Sequence, residues 1–347
     1  MEKIWSKVAP LFAPLGFLYG VLMLLRRKAY RKGFLAAYRP RALVISVGNL
    51  TLGGEGKTPL VLWLANFLEA KGIRAAILTK GYRGKLKGPA IASRGEGPLL
   101  RPDEIGDEAF LLALKSKSPV MVARDRVQGA FWAIKEFEAE ILILDDGFQH
   151  LRLERDLDLV LFSAEKNHLA QRVFPAGRLR EPWAVLKEAS ALLLTKINQA
   201  GEVDKALYKK LKSFQKPLFR IPYKHLRPYL LGKPGEGPST LPFKIFAFAG
   251  LGDNHSFCRS LKDLGCEIVG FWPFPDHVKY NKQLVEHLLK KAKALKAEAF
   301  LTTEKDAVKL LEFQKLLKPC YVLPLEPAPG RDFEEFILQR IRHRARF

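Results

Sequence analysis

Gly53, Gly54, Gly56, Lys57 and Thr58 stand close together, just after the short apolar run Leu43-Val44-Ile45-Ser46-Val47. An amphipathic stretch, Leu60 to Leu68, follows. Strand, glycine-rich loop, Lys-Thr and helix is the layout of a phosphate-binding P-loop. Glycines let backbone N–H groups turn inward around a polyphosphate. The helix start adds unpaired N–H groups and the positive end of a dipole. In that layout Thr51, Leu52, Gly53, Gly54, Glu55, Gly56, Lys57 and Thr58 form an ATP-binding loop. Lys57 reaches the β- and γ-phosphates, and the Thr58 hydroxyl sits on Mg²⁺. Thr51 occupies a position where the strict pattern has glycine. The alternative is an ordinary glycine-rich turn between a strand and a helix.

A second signal is ILILDDGFQH, four apolar residues and then Asp145. A carboxylate delivered at a strand end is the way P-loop proteins hold Mg²⁺. Asp146, Gln149 and His150 continue along the same rim. Lys80 and Arg83 follow another strand in a glycine-flanked turn and read as phosphate clamps or solvated loop charges. Asp107 and Asp125 each precede a helical pattern, so on residue type alone both read as N-caps. His277, in a proline-containing loop, reads as structural or exposed. GTP-binding P-loop proteins pair guanine with a carboxylate after a late strand. Here Thr195-Lys196-Ile197-Asn198 has Asn198 in that place, which favours ATP.

The elements that must position these residues alternate. From Leu43, strands and helices follow one another to residue 223, which implies a mostly parallel sheet covered by helices. Strands are expected at 43–47, 75–79, 120–122, 140–144, 157–162 and 191–195, and a polar loop from the Lys80 turn to Ile105. The segment 224–242 is rich in Pro and Gly and reads as a connection. The alternation then restarts as a smaller α/β unit over 243–347, with helices at 256–264, 284–295, 306–317 and 333–342. The expected organisation is an N-terminal segment (1–41), a P-loop core (42–223), the connection and the smaller unit.

The 347 residues fit two domains. Three cysteines with no CxxC pair fit a reducing compartment and argue against a structural zinc site. A net charge of +22 points to nucleic acid, an anionic membrane surface or a phosphorylated substrate. Residues 8–25 carry no charge, and Arg26, Arg27, Lys28, Arg31, Lys32, Arg39 and Arg41 follow. A spanning helix needs ~20 apolar residues; this run is shorter and contains Pro10, Pro14 and Gly16. The expectation is an anchor lying in the interface with its basic flank on anionic headgroups. A true span and a buried core helix are the alternatives.

The motifs VISVGNLTLGGEGKTP, LTKGYRG, IGDEAFLLA, VARDRVQGA, LDDGFQHLRLERDLDLVLF, FPAGRLREP, FAGLGDN, FPDH and LTTEKDAVKL occur in one order. Together they resemble the tetraacyldisaccharide 4′-kinases, the lipid A 4′-kinases of Gram-negative bacteria, over nearly the whole chain. The resemblance implies transfer of the γ-phosphate of ATP to the 4′-hydroxyl of a tetraacyl glucosamine disaccharide 1-phosphate. It implies an enzyme on the cytoplasmic face of the inner membrane, with two domains closing on the nucleotide. It also implies that Asp107 is the base, assisted by His277, and that a residue other than glycine is tolerated at Thr51. Arg180, Glu181, Lys80 and Arg83 become candidates for the disaccharide and its 1-phosphate. Lys80 and Arg178 depart from the residues usual at those positions in the family.

Two other function classes fit parts of the sequence. A switch ATPase or metallochaperone would use the P-loop but usually brings a Cys/His metal site. A membrane-bound nucleic-acid binder would use the charge but gives no reason for the P-loop. The reading adopted takes no nucleic acid and infers no protein partner.

Overall fold

The structure, a computed structural model, describes residues 9–200, 202–238, 240–251, 257–258, 261, 264–276 and 278–344. Its strands are β1 (Leu43–Asn49), β2 (Ala75–Thr79), β3 (Ala90–Ser93), β4 (Val120–Val122), β5 (Ile141–Asp145), β6 (Leu157–Ser163), β7 (Ala191–Thr195), β8 (Leu218–Ile221), β9 (Tyr223–His225), β10 (Tyr229–Leu230), β11 (Lys244–Gly250), β12 (Glu267–Phe274), β13 (Ala299–Thr303), β14 (Cys320–Leu323) and β15 (Leu325–Pro327). Its main helices are α1 (Ala13–Arg31), α2 (Lys57–Ala70), α3 (Asp107–Lys115), α4 (Arg126–Phe137), α5 (Lys205–Lys212), α6 (Lys282–Ala294), α7 (Glu304–Leu310) and α8 (Arg331–Arg344).

Eight strands form the first sheet in the order β3-β4-β2-β5-β1-β6-β7-β8. All neighbours are parallel except β3 against β4. The central strands β5, β6 and β7 are buried along their whole length, which is why they read as continuous apolar runs. The second sheet has the order β10-β14-β13-β11-β12 and is parallel apart from β10. The expected mostly parallel α/β architecture is the one observed.

Several elements differ from the sequence expectation. The polar loop before Ile105 contains β3, an antiparallel edge strand too short to show a period. The proline-rich connection contains β9 and β10. There β9 pairs antiparallel with β15, so the two chain crossings between the sheets form a ribbon. The helix expected at 306–317 is broken into α7 and a 3₁₀ turn. The helix expected at 256–264 falls largely outside the described residues. Helix α8, which follows the second unit in sequence, buries Phe333 and Ile337 in the core of the first sheet. Its Phe333 ring stands edge-on to Phe219 at 5.1 Å.

Helix α1 is inverted relative to an ordinary surface helix. Its buried residues are Gly16, Gly20 and Arg27. A Cβ on Gly16 would lie 2.8 Å from the Val173 carbonyl, so only glycine lets the helix lie this close on the 173–182 segment. Phe17 is 76% exposed and Leu15, Leu18, Leu22 and Leu25 are exposed as well. Among the described residues no helix is long and apolar enough to cross a membrane.

Candidate functional site

The parallel pairing of β1 with β5 sets Val47 beside Asp145, so the glycine-rich loop and this aspartate leave the sheet at one edge. In an open α/β sheet, ligands gather at that edge. The loop turns through Gly53, Gly54 and Gly56 with φ of 90°, 49° and 85°. Gly56 is the N-cap of α2 and needs glycine twice over. Its φ is left-handed, and a Cβ there would meet the Tyr223 hydroxyl at 2.7 Å.

The loop is braced from below by its own side chains. The Thr51 hydroxyl donates to Glu55 Oε1 at 2.5 Å, and Glu55 Oε2 accepts from the Ser163 N–H at 2.6 Å. Lys166 Nζ lies 2.8 Å from Glu55 Oε1 and donates to the Gly53 carbonyl. Burial would raise the Glu55 carboxyl, but Lys166 and His168 outweigh it and hold it below its usual value. Thr51 and Glu55 are both buried, so their side chains shape the loop. Tyr223 donates from its hydroxyl to the Gly56 carbonyl at 2.8 Å. Asn198, in the place a guanine-reading carboxylate would take, clasps the Tyr223 backbone through two hydrogen bonds of 2.6 and 2.9 Å.

Lys57 opens α2 and points into a polar cluster. Its Nζ donates to Asn49 Oδ1 at 2.9 Å and lies 3.1 Å from Asp146 Oδ1. Arg180 Nη1 holds the other Asp146 oxygen at 2.7 Å. Burial pushes Asp146 up, but Lys57 and Arg180 together pull it down to about 2. Gln149 donates to the Asn49 carbonyl at 2.9 Å and to Glu181 Oε2 at 3.3 Å. Thr58 is half-buried one residue further along α2.

Asp145 is buried, and its Oδ2 accepts from the Thr79 hydroxyl at 3.1 Å. Burial, then the negative charges of Glu108 and Asp146, push its carboxyl up to about 6. Arg126, also buried, donates to the Asp145 carbonyl at 2.9 Å. Negative charge crowded at a buried carboxylate is of the kind a divalent cation relieves, so the chemistry of Asp145 fits Mg²⁺. Mg²⁺ is commonly held by one or two carboxylates plus substrate phosphates, without an all-protein cage.

Asp107 is the first residue of α3 and is half-buried. The N-cap is Gly106, with a φ of 87° and no side-chain cap, so Asp107 does not play the capping role its position suggested. Asp125 does: it caps α4 by accepting from the Val127 and Gln128 N–H groups. His277 lies outside the described residues. Its neighbour Asp276 is 3.0 Å from Lys305 Nζ, and that ammonium is 3.6 Å from Glu108.

The remaining expected site residues differ in their exposure and partners. Lys80 and Arg83 are exposed, with Arg83 left-handed at φ 66°. His150 has a buried Nε2 with no hydrogen-bond partner among the described residues, and burial, then Arg126 and Arg155, push it down to about 4. Glu181 is 1% exposed, so it faces Arg27 and Gln149 and not a ligand. Arg27, expected on headgroups with the rest of the basic flank, is 3% exposed and bidentate on Glu181 at 2.7 and 2.8 Å. Asn49, Glu108, Tyr223 and Lys305 were not singled out in the sequence. Asn49 could have been, as a polar residue closing an apolar strand; the others show their role only through the tertiary fold.

Comparison with known proteins agrees with this geometry. The family described as tetraacyldisaccharide-1-P 4′-kinase matches residues 8–342. The tetraacyldisaccharide 4′-kinase of Desulfotalea psychrophila is 38% identical over 331 residues, covering 94% of each chain. That of Aquifex aeolicus is 36% identical over 322 residues, 90% of this chain and 93% of the relative. The crystal structure of LpxK from Aquifex aeolicus in complex with ATP superposes with a TM-score of 0.77 at 32% identity, covering 97% of this chain and 99% of that one. A nucleotide-binding edge built in this way and a match over nearly the full length lead to one assignment: the chain belongs to the tetraacyldisaccharide-1-phosphate 4′-kinase family.

Proposed function

We propose that this ATP-dependent kinase of lipid A biosynthesis transfers the γ-phosphate to the 4′-hydroxyl of a tetraacyl glucosamine disaccharide 1-phosphate, with the residues above in defined roles. The observation that carries the reading is the shared sheet edge. There Lys57, Asp145 and the start of α3 open together, with Glu108 acting on Asp145. Phosphoryl transfer needs little covalent help from a protein; positioning and charge neutralisation supply most of the rate.

Lys57 and the loop N–H groups hold the β- and γ-phosphates. Asp146 also lies beside the ammonium at 3.1 Å, so Lys57 is held at the loop by a protein carboxylate as well as by the phosphates it binds. Thr58 and Asp145 would hold Mg²⁺, which when bound neutralises phosphate charge. Asp107, with no hydrogen bond or ion pair among the described residues, takes the proton of the sugar hydroxyl, and His277 assists it. Arg180, Lys80 and Arg83 supply positive charge for the disaccharide 1-phosphate.

The two sheets act as two domains that close on the nucleotide. The exposed apolar face of α1, followed by a basic flank, is suited to an anionic membrane interface on the cytoplasmic side. The decisive experiment is incubation with γ-labelled ATP and the lipid disaccharide 1-phosphate in detergent micelles. Label appears in the lipid if the reading is right. Hydrolysis of ATP without lipid labelling rejects it in favour of a switch ATPase.

A further inference from the structure

We propose that Arg27 is a positioning residue of the kinase, making the seating of α1 part of the conformation of Lys57. The inference rests on Lys57 being the phosphate-binding cation.

An unbroken series of contacts joins the two residues. Arg27 lies near the C-terminal end of α1, just before its last turn. Its Nε and Nη2 hold Glu181 at 2.8 and 2.7 Å, and Nη2 also donates to the Phe148 carbonyl at 2.9 Å. The guanidinium lies over the Phe148 ring, 4.4 Å from its centre. Glu181 Oε2 also accepts from Gln149 Nε2 at 3.3 Å, and that amide donates to the Asn49 carbonyl at 2.9 Å. Asn49 Oδ1 accepts from Lys57 Nζ at 2.9 Å. Next to Glu181, Arg180 holds Asp146, the other partner of Lys57. Two adjacent residues of the LREP segment thus support both partners of the lysine, and Arg27 holds the second of them from α1.

The chemistry of the pair gives it leverage. Arg27 and Glu181 are both buried, so neither charge can be satisfied by water. Removing one partner of a buried pair leaves an uncompensated charge. Without Arg27, Glu181 draws on Gln149, its other donor among the described residues, and pulls that amide away from its present geometry on Asn49. A shift in Asn49 moves the acceptor that aims Lys57. Planar bidentate geometry makes arginine the fitting residue, and lysine would reproduce the charge but not the fork.

The test uses the full chain in detergent micelles. It measures kcat with the lipid acceptor, ATP affinity by calorimetry and thermal stability, for Arg27→Met, Arg27→Lys, Gln149→Ala and Glu188→Gln. Arg27→Met is expected to lower kcat and ATP affinity by about tenfold or more, within the usual range for coupled sites. Arg27→Lys should recover part of the loss. Glu188 holds Arg27 Nη1 at 2.6 Å but has no link to Gln149, so Glu188→Gln should cost stability and leave kcat near wild type. Arg27→Met combined with Gln149→Ala should be no worse than the poorer single variant, because both cut one series.

A folded Arg27→Met protein with wild-type kcat and ATP affinity overturns the proposal. So do multiplicative losses in the double variant, or an equal loss of kcat in Glu188→Gln. If Arg27→Met does not fold, Arg27→Met with Glu181→Gln removes both charges, and a wild-type kcat there overturns it too. ATP affinity separates this idea from the kinase reading. Weakened ATP binding in Arg27→Met, with no lipid phosphorylation by the wild type, would reject the acceptor and keep the coupling.

Discussion

Lys305, on α7 beside the second sheet, reaches Glu108 in the first turn of α3, with 3.6 Å between ammonium and carboxylate. The same ammonium holds Asp276 at 3.0 Å. One cation therefore ties the FPDH segment to the helix start that carries Asp107. Burial would lower the Lys305 ammonium, but Glu108 and Asp276 outweigh it and keep it charged. Lys115 and Glu304 make a second, closer link between α3 and α7 at 2.6 Å. Two motifs far apart in sequence thus meet across the boundary between the sheets.

Asp107→Asn should lower kcat by ~10²–10⁴, the range for a lost general base. The ATP KM should change little, since Asp107 touches none of the loop. Because Gly106 is the N-cap, stability should fall only by the lost charge at the helix start, about 0.3–1 kcal/mol. Combining it with His277→Ala should be hardly worse than Asp107→Asn alone, as for groups that act as a unit. An active Asp107→Asn enzyme would remove the base from the mechanism.

Lys57→Ala should reduce kcat by ~10²–10³ or more, the cost of losing one main stabiliser of developing charge. The fold should survive, since Arg180 still neutralises Asp146. Circular dichroism and turnover at saturating ATP check both halves. Near-wild-type turnover would contradict the P-loop role.

Tyr223→Phe deletes the hydroxyl that donates to the Gly56 carbonyl and nothing else. Denaturant unfolding should show a loss of about 0.5–1.5 kcal/mol, that of one hydrogen bond. The ATP KM should rise more than kcat falls, because the bond supports the loop and not the acceptor. Equal effects on both, or none on either, would show the loop holds its shape without it.

His150 gives the protein a one-sided acid sensitivity. Its folded value is pushed down to about 4 from an ordinary 6.5. The unfolded chain therefore binds more protons between those values, and stability rises with pH across the window. The contribution is complete above about pH 6.5 and is lost as pH falls through about 4. Thermal melts from pH 7 to pH 4 should drop less steeply in His150→Gln than in the wild type. Parallel profiles would show that other groups carry the acid response.

Deleting residues 1–25 removes most of the exposed apolar face of α1. Sedimentation with anionic vesicles should fall sharply, while detergent micelles still support some phosphotransfer. Turnover should stay below that of the full chain, because Arg27 loses the helix that seats it. Unchanged sedimentation at low and high salt would place the membrane contact elsewhere.

The P-loop, the Asp145 strand end and the parallel core were legible in the sequence because each is a local pattern. A glycine-rich turn, a buried apolar run and a helix start are all set within a few residues. Glu108 and Lys305 were not legible, since their value comes from what the fold places beside them. Arg27 was misjudged for the same reason: in sequence it is one of a basic run, in space it is a buried anchor. The edge strand β3 and the ribbon strand β9 are too short to show a period, and only pairing reveals them. The terminal helix looked like the end of the second unit because contacts with Trp63 and Phe219 cannot be read from order along the chain.

That return of α8 makes the second sheet an insertion, entered through β9 and left through β15. A module hung from one linker can swivel; one hung from two paired strands has a fixed axis. A paired ribbon of this kind bends more readily along one line than it twists. Its entry strand begins at Tyr223, whose hydroxyl rests on Gly56, so the pivot is bolted to the nucleotide loop itself. Any swing of the second sheet is thereby referred to the position of the phosphates and not to the distant edges of the first.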